Sequence, residues 1–451
     1  MRKCLLPLAL MLNACMPVSQ NHIPTRAIAP DRSLPAMKTF AAPQPVQTGK
    51  SNGDLAQDFL ELAFELESGR ALPVFTRFEG PITVRITGAP PASLGPDLNR
   101  LIARLQSEAG IDITRTTSGR ANITIQAVTR DDISRTLPDA ACFVVPNVTS
   151  LDEFRSLRRS PRTSWTTLQT REKLAIFLPN DASPQEARDC LHEELAQAIG
   201  PLNDLYRLPD SVFNDDNVHT VLTGFDMMIL RAYYAPELRS GMSRAQVAAL
   251  LPRVLARINP AGQGRPVHRV SRTPQAWSAA VQGALGPGAS PRKRRAAAAE
   301  ALKIATLMNW SDHRRAFAHY ANGRLLMGSD PQAAQAHFAL ADRYYAATPG
   351  ADLHRAYVAT QLAAYAISQG DGARAQALIA PHLDIAARNE NAALLSTLLL
   401  LRAEALELTG DSAQARTVRV DSLGWARYGF GPDWAVRAKE REIASLNPLN
   451  G

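Results

Sequence analysis

The side chains best suited to chemistry are concentrated in one run, His192-Glu193-Glu194-Leu195-Ala196-Gln197-Ala198-Ile199-Gly200-Pro201-Leu202-Asn203-Asp204. Two histidines one helical turn apart, with a glutamate between them, can hold zinc and supply a base. Here the residue four beyond His192 is Ala196, so that register lacks its second imidazole. One residue further on, Glu193 and Gln197 fall one turn apart on a common helix face. Asn203 then follows beyond the helix end, and Glu194 sits beside the pair. This pattern makes Glu193, Gln197 and Asn203 candidate ligands of a divalent metal, with Glu194 as the base acting through a bound water. One carboxylate and two amides are a poor set for zinc, which prefers nitrogen and sulfur, and suit a hard cation such as calcium better. The same residues also read as a polar helix face, and the sequence by itself requires no cofactor. His192 and His219 stand alone, and a lone histidine is more often a hydrogen-bonded residue than a ligand. Neither a phosphate loop nor a nucleophile elbow is present.

These residues need a helix and a sheet to hold them. Ser183-Pro184-Gln185-Glu186 is a capping box with proline at the first helical position. Ala187, Leu191, Leu195 and Ala198 supply the apolar stripe, and Gly200-Pro201 ends the helix. Upstream, residues 82–86, 111–116, 123–128, 142–145 and 173–178 have strand character. Leu55, Phe59, Leu60, Ala63 and Phe64 mark a first helix, and Leu98, Leu101, Ile102 and Leu105 a second. Residues 149–167 read as a long exposed loop. Helices follow at 223–234, 243–258 and, more briefly, 274–285. The expected class is α+β, with one small mixed sheet.

With the register set on Glu193, the run resembles the metzincin signature HExxHxxGxxHD, matched here as Glu193-Glu194-x-x-Gln197-x-x-Gly200-x-x-Asn203-Asp204. Ser211-Val212-Phe213 stands where that family has its Met-turn, and Leu222-Thr223-Gly224-Phe225-Asp226 looks like the start of its closing helix. Together with Pro236-Glu237-Leu238-Arg239-Ser240-Gly241-Met242, residues 60–260 resemble the domain-of-unknown-function family 2927. The resemblance implies a metzincin-like domain with an active-site-type helix. It carries over no established activity.

Beyond residue 295 the chain is rich in Ala and Leu and has almost no strand signal. Gly328-Ser329-Asp330, Gly370-Asp371-Gly372 and Gly410-Asp411-Ser412 interrupt it at spacings of 42 and 40 residues. This is similar to tetratricopeptide repeats, with a period longer than the usual ~34 residues. Stacked helical hairpins would offer a concave surface to envelope proteins or peptides.

The amino terminus bounds the location. Met1-Arg2-Lys3, an apolar run from Cys4 to Leu12, and Asn13-Ala14-Cys15 describe a secretory signal, and Leu12-Asn13-Ala14-Cys15 resembles a lipobox with Cys15 as the lipidated residue. Met16 in place of Asp favours the periplasmic face of the outer membrane, with a soluble periplasmic protein as the alternative. In such an oxidising compartment Cys142 and Cys190 read as a disulfide pair. The net charge of +8 then points to anionic envelope polymers rather than to nucleic acid. The expected order is a signal peptide (1–14), a lipid anchor and flexible tether (15–52), the metzincin-like domain (53–285), a linker (286–297) and the helical repeats (298–448). The expected role is a non-catalytic scaffold or binding lipoprotein, and the alternative is a metal-dependent envelope hydrolase.

Overall fold

Serine or threonine hydroxyls start many of the helices by capping exposed backbone N–H groups, as Ser51, Thr129, Ser150 and Ser183 do. The computed structural model describes residues 33–41, 45–268 and 270–450. Cys15, the signal segment and residues 16–32 lie outside the described residues.

The first helix, α1 (Asn52–Phe64), leads to strand β1 (Ile82–Gly88), helix α2 (Leu94–Ala109) and strand β2 (Ile113–Arg115). Strand β3 (Ile123–Val128), helix α3 (Arg130–Thr136), strand β4 (Phe143–Pro146) and helix α4 (Leu151–Leu157) come next. Strand β5 (Leu174–Pro179) then feeds α5 (Pro184–Ile199), followed by α6 (Gly224–Tyr233) and α7 (Arg244–Ile258). The strands form one sheet in the order β2-β1-β3-β5-β4. All neighbours are parallel except β4, which runs antiparallel to β5 at the edge. The crossover from β1 to its parallel neighbour β2 is made by α2, as parallel pairing demands. Every residue of β5 is buried, so its apolar run Leu174-Ala175-Ile176-Phe177-Leu178 needs no alternation.

The remaining chain is helical: α8 (Gln275–Leu285), α9 (Pro291–Leu307), α10 (His313–Leu326), α11 (Pro331–Ala346), α12 (Asp352–Ser368), α13 (Gly372–Ile379), α14 (Leu383–Arg388), α15 (Ala392–Leu408), α16 (Ser412–Phe430) and α17 (Asp433–Ala444). The three Gly-Asp or Gly-Ser-Asp turns join α10 to α11, α12 to α13 and α15 to α16. In each, an Asp caps the second helix: Asp330, Asp371 and Asp411 accept from Ala333, Arg374 and Gln414. Gly370 and Gly410 adopt φ of 75° and 85°, a left-handed ending that glycine takes without steric cost.

Three expectations change. Residues 149–167 are not one loop: Ser150 caps α4, whose Leu151 and Phe154 pack with Phe143 and Phe177. Residues 35–41 and 45–51 are not free tether. Lys38 N–H donates to the Gly424 carbonyl at 3.0 Å and Phe40 stacks on Trp425 at 4.5 Å. Helix α9 begins at Pro291, inside the stretch read as linker, because Ser290 caps it with proline in its first turn.

Residues 35–451 form one compact unit. Arg188 of α5 pairs with Glu390 at 3.2 Å, both fully buried, and Arg100 of α2 reaches the same carboxylate at 2.8 Å. Gln185 bonds Asn391, and the Tyr428 hydroxyl donates to Asp97 at 2.9 Å. Among the described residues no helix is long and apolar enough to cross a membrane.

Candidate functional site: a carboxyl-lined cleft

Helix α5 is fixed on three sides. Leu191, Leu195 and Ala198 press into the main core, and Cys190 is bonded to Cys142 just before β4. At its C-terminal end the buried Arg171 guanidinium donates to the carbonyls of Gln197, Ala198 and Gly200 at 2.6, 2.8 and 2.5 Å. A cation there satisfies carbonyls that the helix itself leaves without partners. A side chain at Gly200 would meet Leu230 at 2.6 Å, so glycine lets α6 approach the end of α5.

This mounting presents a set of carboxyl groups, and Arg207 and Arg272, paired with Glu61 and Glu65, line the cleft beside them. Glu67 and Asp215 stand at the exposed rim, Glu193 and Asp204 are half-buried below them, and Glu194 is 5% exposed. Burial, followed by the charges of Glu67 and Asp215, pushes Glu193 up to about 7. Asp204 is held far above the usual carboxylate range by burial, then by Glu67, Glu193 and Asp215. Glu194 is raised in the same way by burial, Glu193 and Glu67, and its Oε2 is buried without a hydrogen-bond partner. Glu67 and Asp204 shift one another, and carboxyls so placed resist ionising together. Asp215 is also raised by burial, opposed by hydrogen bonds from the Tyr206 hydroxyl and the Gln282 amide. A cleft of about 200 Å³ opens beside Glu67, Asn203, Asp204 and Tyr206.

Of the sequence candidates, Glu193 joins this cluster and Glu194 lies against it. Gln197 is buried on the same helix. The Asn203 amide donates to the Glu61 carbonyl at 3.0 Å, which orients its side chain toward α1. His192 is structural: its Nδ1 accepts from Leu222 N–H at 3.1 Å, and burial drives its pKa well down. His219 donates through Nε2 to the Pro209 carbonyl at 2.9 Å. Glu67, Tyr206 and Asp215 were not singled out from the sequence, because they come from loops where no spacing rule operates. Asp204 occupies the last position of the metzincin-like signature.

A zinc ion of the metzincin kind does not fit these residues. Two of its three positions are amides, and Asn203 is already tied to the backbone of α1. Among the described residues no three His, Cys, Asp or Glu side chains are placed to hold a metal. What these residues offer is a group of carboxyls that burial and one another hold above the usual carboxylate range, able to accept hydrogen bonds from a donor.

The loop that carries Tyr206 and Asp215 is pinned by the helical region. His313 Nε2 donates to the Tyr206 carbonyl at 2.6 Å and His354 Nε2 to Asp216 at 2.7 Å. Asp226 fixes the far end of the loop by accepting from Ser211 and from Val212 N–H.

Neither a curated protein nor a solved structure matches the chain. Residues 52–253, from the first residue of α1 into α7 and including the whole of α5, match the model of the family described as Protein of unknown function (DUF2927).

Proposed function

We propose that this is an envelope lipoprotein that binds rather than cleaves, built from a degenerate metzincin-like domain and tetratricopeptide-like helical hairpins. The observation that carries this reading is the donor set on and just beyond α5: Glu193, Gln197 and Asn203 in place of three histidines, with the Asn203 amide committed to Glu61. The edge strand β4 running antiparallel to β5, and the helix that follows β5, suit the metzincin-like reading. The regular hairpins with their Gly-Asp turns suit the repeat reading. Lipid on Cys15 would hold the protein at the periplasmic face of the outer membrane, where its helical region can engage envelope proteins or peptides.

Elemental analysis of the chain from residue 16 onward, purified without chelator, tests the central claim. Less than about 0.1 zinc per chain is expected. Stoichiometric zinc that is lost in Glu193→Gln, with peptide hydrolysis lost in Glu194→Gln, would make the protein a hydrolase instead.

A further inference from the structure

Helix α9 has a buried side and an exposed side of opposite character. Ala298, Ala301 and Ala305 are fully buried against α8 and α10. Arg294 turns the same way, and its guanidinium donates to the carbonyls at the end of α8, those of Ala284, Leu285 and Gly286, at 3.0, 2.8 and 3.0 Å. With about 3.6 residues per turn, Arg292, Arg295, Ala296, Ala299, Lys303 and Leu307 fall on the other side, and all six are exposed. Lys293 is exposed at its flank. Leu307 is 76% exposed, the most of any large apolar side chain among the described residues.

The fold does not call for these cations. Glu300, the one acidic residue of α9, pairs with Lys303 at 3.4 Å. Arg292, Lys293 and Arg295 have no carboxylate partner among the described residues. They stand at the N-terminal end of the helix, where its dipole opposes positive charge and no acidic residue offsets it. Cations, small alanines and an exposed leucine on one stripe about 25 Å long suit a flat, negatively charged surface with an apolar layer beneath it. A soluble polyanion would neutralise the charges and offer nothing to Leu307. We propose that the outer side of α9 docks the protein on an anionic phospholipid membrane, with Arg292, Lys293 and Arg295 at the headgroup phosphates and Leu307 entering the apolar layer. This docking needs no lipid on Cys15, so it stands or falls apart from the anchor.

Vesicle flotation with the chain from residue 16 onward, which carries no lipid, tests it. Binding to vesicles of equimolar phosphatidylglycerol and phosphatidylcholine is expected, and none to phosphatidylcholine alone. Arg292→Gln combined with Lys293→Gln and Arg295→Gln should raise the Kd for the anionic vesicles about tenfold or more. Leu307→Ser should raise it about threefold or more at the same ionic strength. Arg158→Gln combined with Arg159→Gln and Arg162→Gln removes three exposed cations elsewhere and should change it less than about twofold. Every substituted position is exposed, and melting of each variant within about 3 °C of the parent shows that the fold is kept. If the α9 triple variant does not fold, Leu307→Ser decides alone. No binding to the anionic vesicles, equal binding to the neutral ones, or an equal loss in the Arg158, Arg159 and Arg162 variant would each overturn the proposal. Binding that Leu307→Ser leaves unchanged would assign the patch to a soluble polyanion and overturn it too.

Discussion

At the scale of single residues, Glu193 is the most consequential side chain of the carboxyl cluster. Its folded pKa of about 7 lies above the ordinary value of 4.5. The folded state therefore binds more protons than the unfolded one between those values, and stability falls as pH rises from about 4.5 to 7. Glu193→Gln removes that charge. It should leave stability near pH 4 almost unchanged and raise it by roughly 1–3 kcal/mol at pH 8, read from urea unfolding at the two pH values. An equal effect at both would show that Glu193 does not titrate in this window. Glu390 is a different case. It holds a left-handed φ of 50° without being glycine, and its carboxylate is gripped by Arg188 and Arg100. Glu390→Gln leaves Arg188 charged and buried without its counter-ion, which should cost about 3–5 kcal/mol in the same assay. The sequence shows neither fact. Glu193 was visible through its spacing from Gln197, but its titration depends on Glu67 and Asp215, which are distant in the chain. Glu390 has no motif at all.

At the scale of elements, α5 was the most legible part of the chain. Its cap, proline and apolar stripe are local: Ser183 accepts from Glu186 N–H, although the Glu186 carboxylate pairs with Arg130 and leaves the capping box half made. The five strands also appear where alternation or short apolar runs place them. Helices α3 and α4 were not legible, since each has 7 residues, too few for a helical period to emerge. The bond between Cys142 and Cys190 joins α5 to the sheet edge across a sequence separation of 48. Closing a loop of that size restricts the unfolded chain by about 4 kcal/mol. Cys142→Ser together with Cys190→Ser should lower the melting temperature by roughly 4–5 °C, measured under non-reducing conditions. No change would mean that the bridge does not form in the protein as purified.

At the scale of the molecule, the helical region is not a separate module hung on a linker. Its contacts with the α+β region are buried and specific: Arg188 with Glu390, Gln185 with Asn391, Tyr428 with Asp97, and His354 with Asp216. The two regions should therefore unfold together. Scanning calorimetry of the chain from residue 16 onward is expected to give one transition, and two resolved transitions would contradict that coupling. Cys15→Ala should move the protein from the membrane fraction to the soluble periplasm and abolish incorporation of labelled fatty acid. Retention in the membrane without label would point to another anchor.

The sequence alone determined what depends on near neighbours: the capped site helix, the strand segments and the Gly-Asp turns between the helices. Capping, alternation and turn formation are settled within a few residues, so they can be read from spacing. Only the tertiary structure decided which carboxyls crowd around Glu193, that the Asn203 amide turns to α1, and that the helical region closes on α5. Those outcomes depend on burial and on charges brought together from remote positions. Their energies are set by the loss of water and by through-space contact, which leave no periodic trace in the chain.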